Sequence, residues 1–373
     1  MTEGQRVATP HARMRHARIN GVDAYHRAVA GVDIRAVRAG AGGRPTEVAS
    51  ATNGRITTTT SRIGFPMLTH TEIGDDRILM AHYWRAPPGS LQTGVHVEPD
   101  MLLAYGPRVQ HVGSNREGLA FSFATTTVEE LYTRAAELGT DLSIPEPGEV
   151  RRLTVRPDTA LLVATLSSIR MSPSGHDLPE PLLDELLSGM TRAFADPQQL
   201  HLDRHGPWIP SRSIVYACIE YAESVGRRPS LAELCVVARV SERRVRMAFV
   251  DLYDLPPSVF FRLWALSRAN ERLAGPVDLS ETVTSVALEL GFGNVGRFAE
   301  YYRQLFDESP SATLRRGRAA RGVFPSGALQ ADTPFIESEP KRASFPVTSR
   351  CSRRSIARAY ASRDRPSMTP KPW

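Results

Sequence analysis

The sequence predicts an α+β protein, with a strand-rich, barrel-like (cupin-like) N-terminal half followed by an all-α half. Three observations carry that expectation. Short β-rich runs separated by turn signals fill much of residues 61–170. Apolar residues at helical spacing dominate residues 211–316. Within that second stretch a helix, a tight turn and a further helix occur twice, joined by one long helix.

Length and composition bound the problem. At 373 residues the chain can form two domains with separate cores. Hydrophobic residues make up 41% and charged residues 23%, ordinary for a globular protein and against wholesale disorder. The longest apolar runs fall short of a bilayer span, and the Arg-rich start lacks the apolar core of a secretory signal. A soluble, cytoplasmic protein with no membrane partner is the expectation. Cys218, Cys235 and Cys351 are widely separated, which suits free thiols in a reducing compartment and no zinc site.

The net charge of +6 has a location. Residues 317–373 hold 11 Lys and Arg against 4 Asp and Glu, while the other 316 residues hold 35 against 36. Global basicity therefore belongs to the end of the chain, and it does not by itself argue for nucleic-acid binding.

Residues 1–60 mix small residues, Arg and Gly around a weak helical stretch at Val22–Val29, and are expected as a poorly ordered arm. Residues 61–196 are expected as a β-rich effector-sensing or dimerisation domain. Its strands are read at Ile78–Trp84, Met101–Tyr105, Leu119–Ala124, Val150–Val155 and Ala160–Leu166. Val128–Leu138 is a helix, because Thr127 can cap it and Glu129 and Glu130 favour its first turn. Leu182, Leu183, Leu186, Leu187, Met190 and Phe194 form one apolar stripe on a further helix. That stripe either packs on its own barrel or serves a dimer. Residues 197–210 read as a polar linker containing Pro and Gly.

In residues 211–316, Ile214–Glu223 is the first helix. Ser230 and Glu233 form a capping box that starts the second, and Ser241 caps Glu242–Leu252. The long helix Pro257–Leu273 leads to Thr282–Phe306, where Val283, Val286, Ala287 and Leu290 share one stripe. Gly291 ends that helix through a positive φ, Phe292 plugs the turn, and a helix with Phe298, Tyr301, Tyr302, Leu305 and Phe306 inward follows. Residues 317–373, rich in Arg, Ser and Pro without periodicity, are expected as a disordered basic tail.

Two helix-turn-helix units in about 105 residues resemble the DNA-binding domain of the AraC (AraC/XylS) family of bacterial transcription regulators. The resemblance rests on Val286-Ala287, Gly291-Phe292, Phe298, Tyr302-Arg303, Ser309-Pro310 and Leu314-Arg315. In the first unit it rests on Leu234, Ser241, Phe249 and Pro257. Arg239 and Asp307 depart from the pattern, since each stands where Gly is usual. The resemblance implies double-stranded DNA as partner and an N-terminal half that senses a small-molecule effector or dimerises. A homodimer, and RNA polymerase contact in the case of an activator, belong to the same implication.

Base edges and phosphates present acceptors, so donors on the outer face of each second helix are the candidate DNA-binding residues. In the first unit these are Arg243, Arg244 and Arg246; the resemblance puts Arg243 and Arg246 where the family contacts bases and Arg244 where it contacts the backbone, and the plain alternative is a solvated basic face. In the second the donors are Asn294 and Arg297, with Arg303 at the basic position the resemblance implies, and Val295 is an apolar candidate for a thymine methyl; helix capping for Asn294 and surface packing for Val295 are the alternatives. With 14 basic against 13 acidic residues over 211–316, affinity must come from placement rather than net charge.

The strand-rich half offers less chemistry. Tyr83, Trp84, Tyr105 and Phe121 could line an apolar effector pocket or simply form core. His96 with Glu98 and His111 with Asn115 come nearest to a cupin metal site, but the full spacing of Gly and His is missing. No catalytic residue, metal or cofactor is therefore expected. The rival reading is a cupin-like metal-dependent enzyme domain fused to a helical targeting module.

Overall fold

Alternation of side chains along the strands decides the layering of the molecule. The structure, a computed structural model, describes residues 11–12, 14–153, 162–166, 178–195, 200–201, 208–275 and 281–322. The first strands are β1 (His11–Ala12), β2 (Arg15–Ile19), β3 (Asp33–Arg38), β4 (Thr46–Thr52) and β5 (Ile56–Arg62). Next come β6 (Met67–Glu72), β7 (Arg77–Arg85), β8 (Leu91–Gln92), β9 (Val95–His96) and β10 (Met101–Tyr105). Then follow β11 (Gln110–Asn115), β12 (Ala120–Thr127), β13 (Val150–Leu153), β14 (Leu178–Pro179) and β15 (Leu200–His201). An eight-stranded antiparallel sheet has the order β15-β13-β10-β7-β12-β5-β4-β2, and a five-stranded one has the order β3-β6-β11-β8-β9.

Helices α1 (Tyr25–Ala28), α2 (Val128–Leu138), α3 (162–166) and α4 (Glu180–Ala195) accompany the sheets. The rest is helical: α5 (Trp208–Val225), α6 (Leu231–Ala238), α7 (Glu242–Tyr253), α8 (Pro257–Ala274), α9 (Val283–Glu289), α10 (Val295–Phe306) and α11 (Pro310–Gly322).

In β7, Ile78 and Met80 face one way and meet Leu102 and Ala104 of β10 and the stripe of α4. Leu79, Ala81 and Tyr83 face the other way, into the space between the sheets, with Met67, Leu103, Tyr105 and Phe123. The outer face of the five-stranded sheet supplies Val37, Leu68 and Val112 to a third cluster, which is the core of the helical half. The order is therefore helices, large sheet, small sheet, helices. A strand buried on both faces reads as a continuous apolar run, which is why Ile78–Trp84 stands out in the sequence.

The α4 stripe is spent inside the protein. Leu183, Leu186, Leu187, Met190 and Phe194 are all 0% exposed against the large sheet. Each such side chain contributes about 1.5–3 kcal/mol when buried. Of the two uses open for this stripe, the protein makes the internal one.

Four expectations are corrected. The segment 1–60 carries β2, β3, β4 and α1, and β5 begins at Ile56, so it is part of both sheets from Arg15 onward. Its strands pair with distant partners, β2 on β4 and β3 on β6, and local pattern cannot show that. Ala160–Leu166 is not a strand where it is described, since 162–166 is helical. In the segment 197–210, β15 pairs with β13 and α5 already begins at Trp208. Pro210 fits because a first-turn residue needs no N–H partner. Residues 317–322, expected in the disordered tail, are helical as the end of α11; the rest of that expected tail, residues 323–373, lies outside the described residues. At Gly317 an added Cβ would sit 2.5 Å from the carbonyl oxygen of Leu273, so α11 crosses the end of α8 at a point only glycine permits.

Candidate nucleic-acid interface

The first unit is built by local rules that the sequence states openly. Ser230 accepts from the Glu233 N–H while Glu233 accepts from the Ser230 N–H, and Arg227 pairs with Glu233 at 2.7 Å. Arg239 then takes a left-handed conformation, φ 55°, in the position where glycine is usual. Ser241 caps α7 by accepting from the Arg244 N–H. Val245, Ala248, Phe249, Leu252 and Tyr253 face inward, and Phe249 lies 5.2 Å from Phe260 and 5.5 Å from Phe261 of α8.

On the outer face of α7 the three arginines differ. Arg243 is exposed and has no side-chain partner among the described residues. Arg246 donates twice to Glu242, at 3.0 and 2.6 Å. Arg244 is half-buried and donates to Ser211 Oγ at 3.2 Å, and Ser211 donates to Asp251. Met247 and Val250 lie exposed on the same helix, at 43% and 47%.

The second unit repeats the plan with different parts. Thr282 and Ser285 form a reciprocal cap on α9. Gly291 turns the chain at φ 85°, and Phe292, 3% exposed, plugs the turn against Phe298 at 4.9 Å between ring centroids. The Arg228 guanidinium covers the other side of Phe292 at 4.9 Å. Asn294 caps α10 by accepting from the Arg297 N–H at 2.9 Å, so its side-chain oxygen is spent on the helix. Val295 is half-buried against the core, which leaves it only partly presented. Arg297 and Arg303 are exposed and unpaired among the described residues. Tyr302 is buried, accepts from Asn270 of α8 at 2.7 Å and donates to Thr313 of α11 at 2.9 Å.

One group of residues escaped the sequence reading. Arg38 at the end of β3, 8% exposed, donates to the carbonyl oxygens of Gly40, Gly42 and Asn20, and to that of Leu305 at 3.2 Å. Its guanidinium lies 4.3 Å from the Phe65 ring centroid and 5.8 Å from that of Phe306. Burial pushes the Arg38 pKa down and the Asp307 carboxylate opposes that shift. The Gly42 N–H donates to Asp307 Oδ2 at 2.9 Å. The sole sequence signal was Asp307 itself, standing where glycine is usual.

Between the sheets lies a cavity of about 40 Å³ lined by Tyr25, Tyr83, Tyr105, Phe121 and Phe123 among others. Of the four aromatics expected there, Trp84 is elsewhere, beside Arg62. A polar chain crosses one wall. Gln92 Oε1 bonds to His111 Nε2, and Gln92 Nε2 donates to Asn115, which donates to Thr69 Oγ1. Burial, helped by Arg212, pushes His111 down to about 4, so the ring is neutral at neutral pH. His96 is exposed on edge strand β9, and Glu98 pairs with Arg152 at 3.3 Å. Among the described residues no group of three His, Cys, Asp or Glu is placed to hold a metal ion.

Residues 234–316 match a family model described as a helix-turn-helix domain. The chain is 30% identical over 136 residues to the probable thc operon regulatory protein of Rhodococcus erythropolis, covering 36% of this chain and 40% of that protein. It is 38% identical over 120 residues to XylDLEGF operon transcriptional activator 1 of Pseudomonas putida, covering 32% and 35%. The chain thus spans well under half the length of these two relatives. Among solved structures it is 33% identical to a probable AraC family transcriptional regulator from Rhodopseudomonas palustris, covering 28% of this chain and 96% of that one, at a TM-score of 0.26. The AraC-like transcriptional activator CuxR is 12% identical over 63% of this chain and 88% of its own, at a TM-score of 0.34. With two capped helix-turn-helix units on one linking helix and the matched family model, residues 234–316 form a helix-turn-helix domain similar to that of AraC/XylS-type transcription regulators.

Proposed function

We propose that this protein is a sequence-specific, double-stranded-DNA-binding transcription regulator of the cytoplasm. One protomer sets α7 and α10 in adjacent major-groove segments about one helical turn apart on one face of DNA. The observation that carries this reading is the pair of capped recognition helices, each with exposed arginine on its outer face and each packed on the same linking helix. Arg243 and Arg297 reach base edges, because they are exposed near the helix starts and unpaired among the described residues. Arg246 joins them after leaving Glu242. That exposed i,i+4 pair is worth about 0–1 kcal/mol, so DNA outbids it. Arg244 and Arg303 bind phosphate, and Asn294 keeps only its amide nitrogen for DNA. Val295 touches a thymine methyl with the part of its side chain that stays exposed.

The N-terminal half is the regulated part in this reading. Its cavity is largely aromatic and offers Gln92, His111 and Asn115 as polar groups to a small-molecule effector. At about 40 Å³ the space holds roughly two or three waters, so a ring-sized effector must push the sheets or their side chains apart to enter. That coupling would let an effector act on the helices behind the small sheet. A homodimer would use a surface other than the α4 stripe, and an activator would also contact RNA polymerase.

The test is selection of duplexes from a random pool of about 40 base pairs, long enough for two half-sites one turn apart, followed by footprinting. Enrichment of one sequence class, protected in two neighbouring major grooves, is the expected result. A pool that shows no enrichment would overturn the reading.

A further inference from the structure

Both recognition helices end in the same unusual way. Asp254 after α7 and Asp307 after α10 are non-glycine residues in the left-handed region, at φ 57° and 56°. Both last turns are also held by the N-terminal half. At the end of α7, the Tyr253 hydroxyl, 1% exposed, donates to the Thr69 carbonyl at 3.3 Å, and Asp254 lies 3.8 Å from Arg116. At the end of α10, Arg38 donates to the Leu305 carbonyl, and Asp307 accepts from Gly42. A guanidinium is well suited there, because the last carbonyls of a helix lack partners and carry its negative end.

The two anchor points belong to one ladder. Strand β3 pairs with β6 in the register Ala36↔Thr69 and Arg38↔Met67, so Thr69 and Arg38 are one strand over and two residues along from each other. The Arg38 N–H also donates to Ser267 Oγ of α8 at 3.0 Å, which ties the same point to the linking helix. The first turns of α7 and α10 are untouched by these anchors. Each helix has 12 residues, so its start lies about 18 Å from its held end.

We propose that the five-stranded sheet is a bracket that fixes the separation of the two recognition helices, with Arg38 and Asp307 as positioning residues for α10. This rests on the DNA-binding reading above. The bracket holds the rear of each helix and leaves the DNA-facing end free, so it sets spacing and does not block binding. A movement of β3 relative to β6 changes the distance between the two readers. Spacing selectivity is therefore a property of the N-terminal sheet as well as of the linking helix.

The experiment uses the full chain and its Arg38→Ala and Asp307→Gly variants. The probes are the duplex selected by the wild type and derivatives with the half-sites moved by about one or two base pairs either way. Asp307→Gly keeps a residue that favours the left-handed cap, so it serves where Arg38→Ala fails to fold. Expected is a loss of about two- to thirtyfold on the original duplex, with a smaller loss on the shifted ones, giving a flatter spacing profile than the wild type. Losses equal at every spacing, or an unchanged profile, would overturn the bracket alone. Failure of the wild type to enrich any duplex would overturn the DNA-binding reading and the bracket with it.

Discussion

The first and second helix-turn-helix units share a plan but dispose of their charge differently. In α7 three arginines crowd the outer face, yet Arg246 is held by Glu242 and Arg244 by Ser211, leaving Arg243 unpaired among the described residues. In α10 the sequence offers fewer cations, yet Arg297 and Arg303 are both unpaired among the described residues. Counting arginines favours the first unit, whereas counting available donors evens the two. A basic residue on a recognition helix is worth only what its neighbours leave exposed.

The largest effects should come from breaking each unit's core. Phe249→Ala and Phe298→Ala should each cost about 3–5 kcal/mol, read by urea denaturation. Phe249 should be the costlier, since its ring meets Tyr253, Phe260 and Phe261 while that of Phe298 meets Phe292 and Tyr302. A greater loss for Phe298→Ala would reverse the ranking of the two cores. Next come the readers themselves. Arg243→Ala and Arg297→Ala should each weaken binding to the selected duplex by about 1–3 kcal/mol, roughly five- to 150-fold, with Arg246→Ala costing less. Titrations that find Arg246 as costly as Arg243 would mean the Glu242 pair is irrelevant. Smallest is the contrast between the caps. Asp254→Gly should raise stability by about 0.5–1 kcal/mol by relieving a left-handed residue, because its partner Arg116 is distant and exposed. Asp307→Gly should gain nothing, because it gives up the Gly42 hydrogen bond. An equal rise in melting temperature for both would show that the Asp307 carboxylate contributes no net stability.

What the sequence disclosed follows from how local each feature is. Caps at Thr127, Ser230 and Ser241 concern residues three apart, and those helices begin where the sequence places them. Strands β2 to β4 escaped notice because their apolar content is small and their pairing is set by the sheet. Thr46–Thr52, for example, is mostly Thr, Ala and Ser, and it is held by pairing with β2 on one edge and β5 on the other. In the second unit, Asn294 turned out to be committed to the helix start, a reading the sequence held open. Arg38 was illegible for the opposite reason to a cap, since its acceptor on Leu305 lies 267 residues away. The left-handed Asp307 was the trace it left.

The crossing at Gly317 has a consequence for where the functional module ends. The family match stops at residue 316, but α11 continues to Gly322 and meets α8 at the next position. Through Thr313 it grips Tyr302, and through Arg316 it grips Glu308 just beyond α10. A side chain at 317 would act as a wedge between α11 and α8, and the displacement would pass through Tyr302 into the second reader. The rigidity with which α10 meets DNA is thus secured in part by a residue that recognition of the family leaves out.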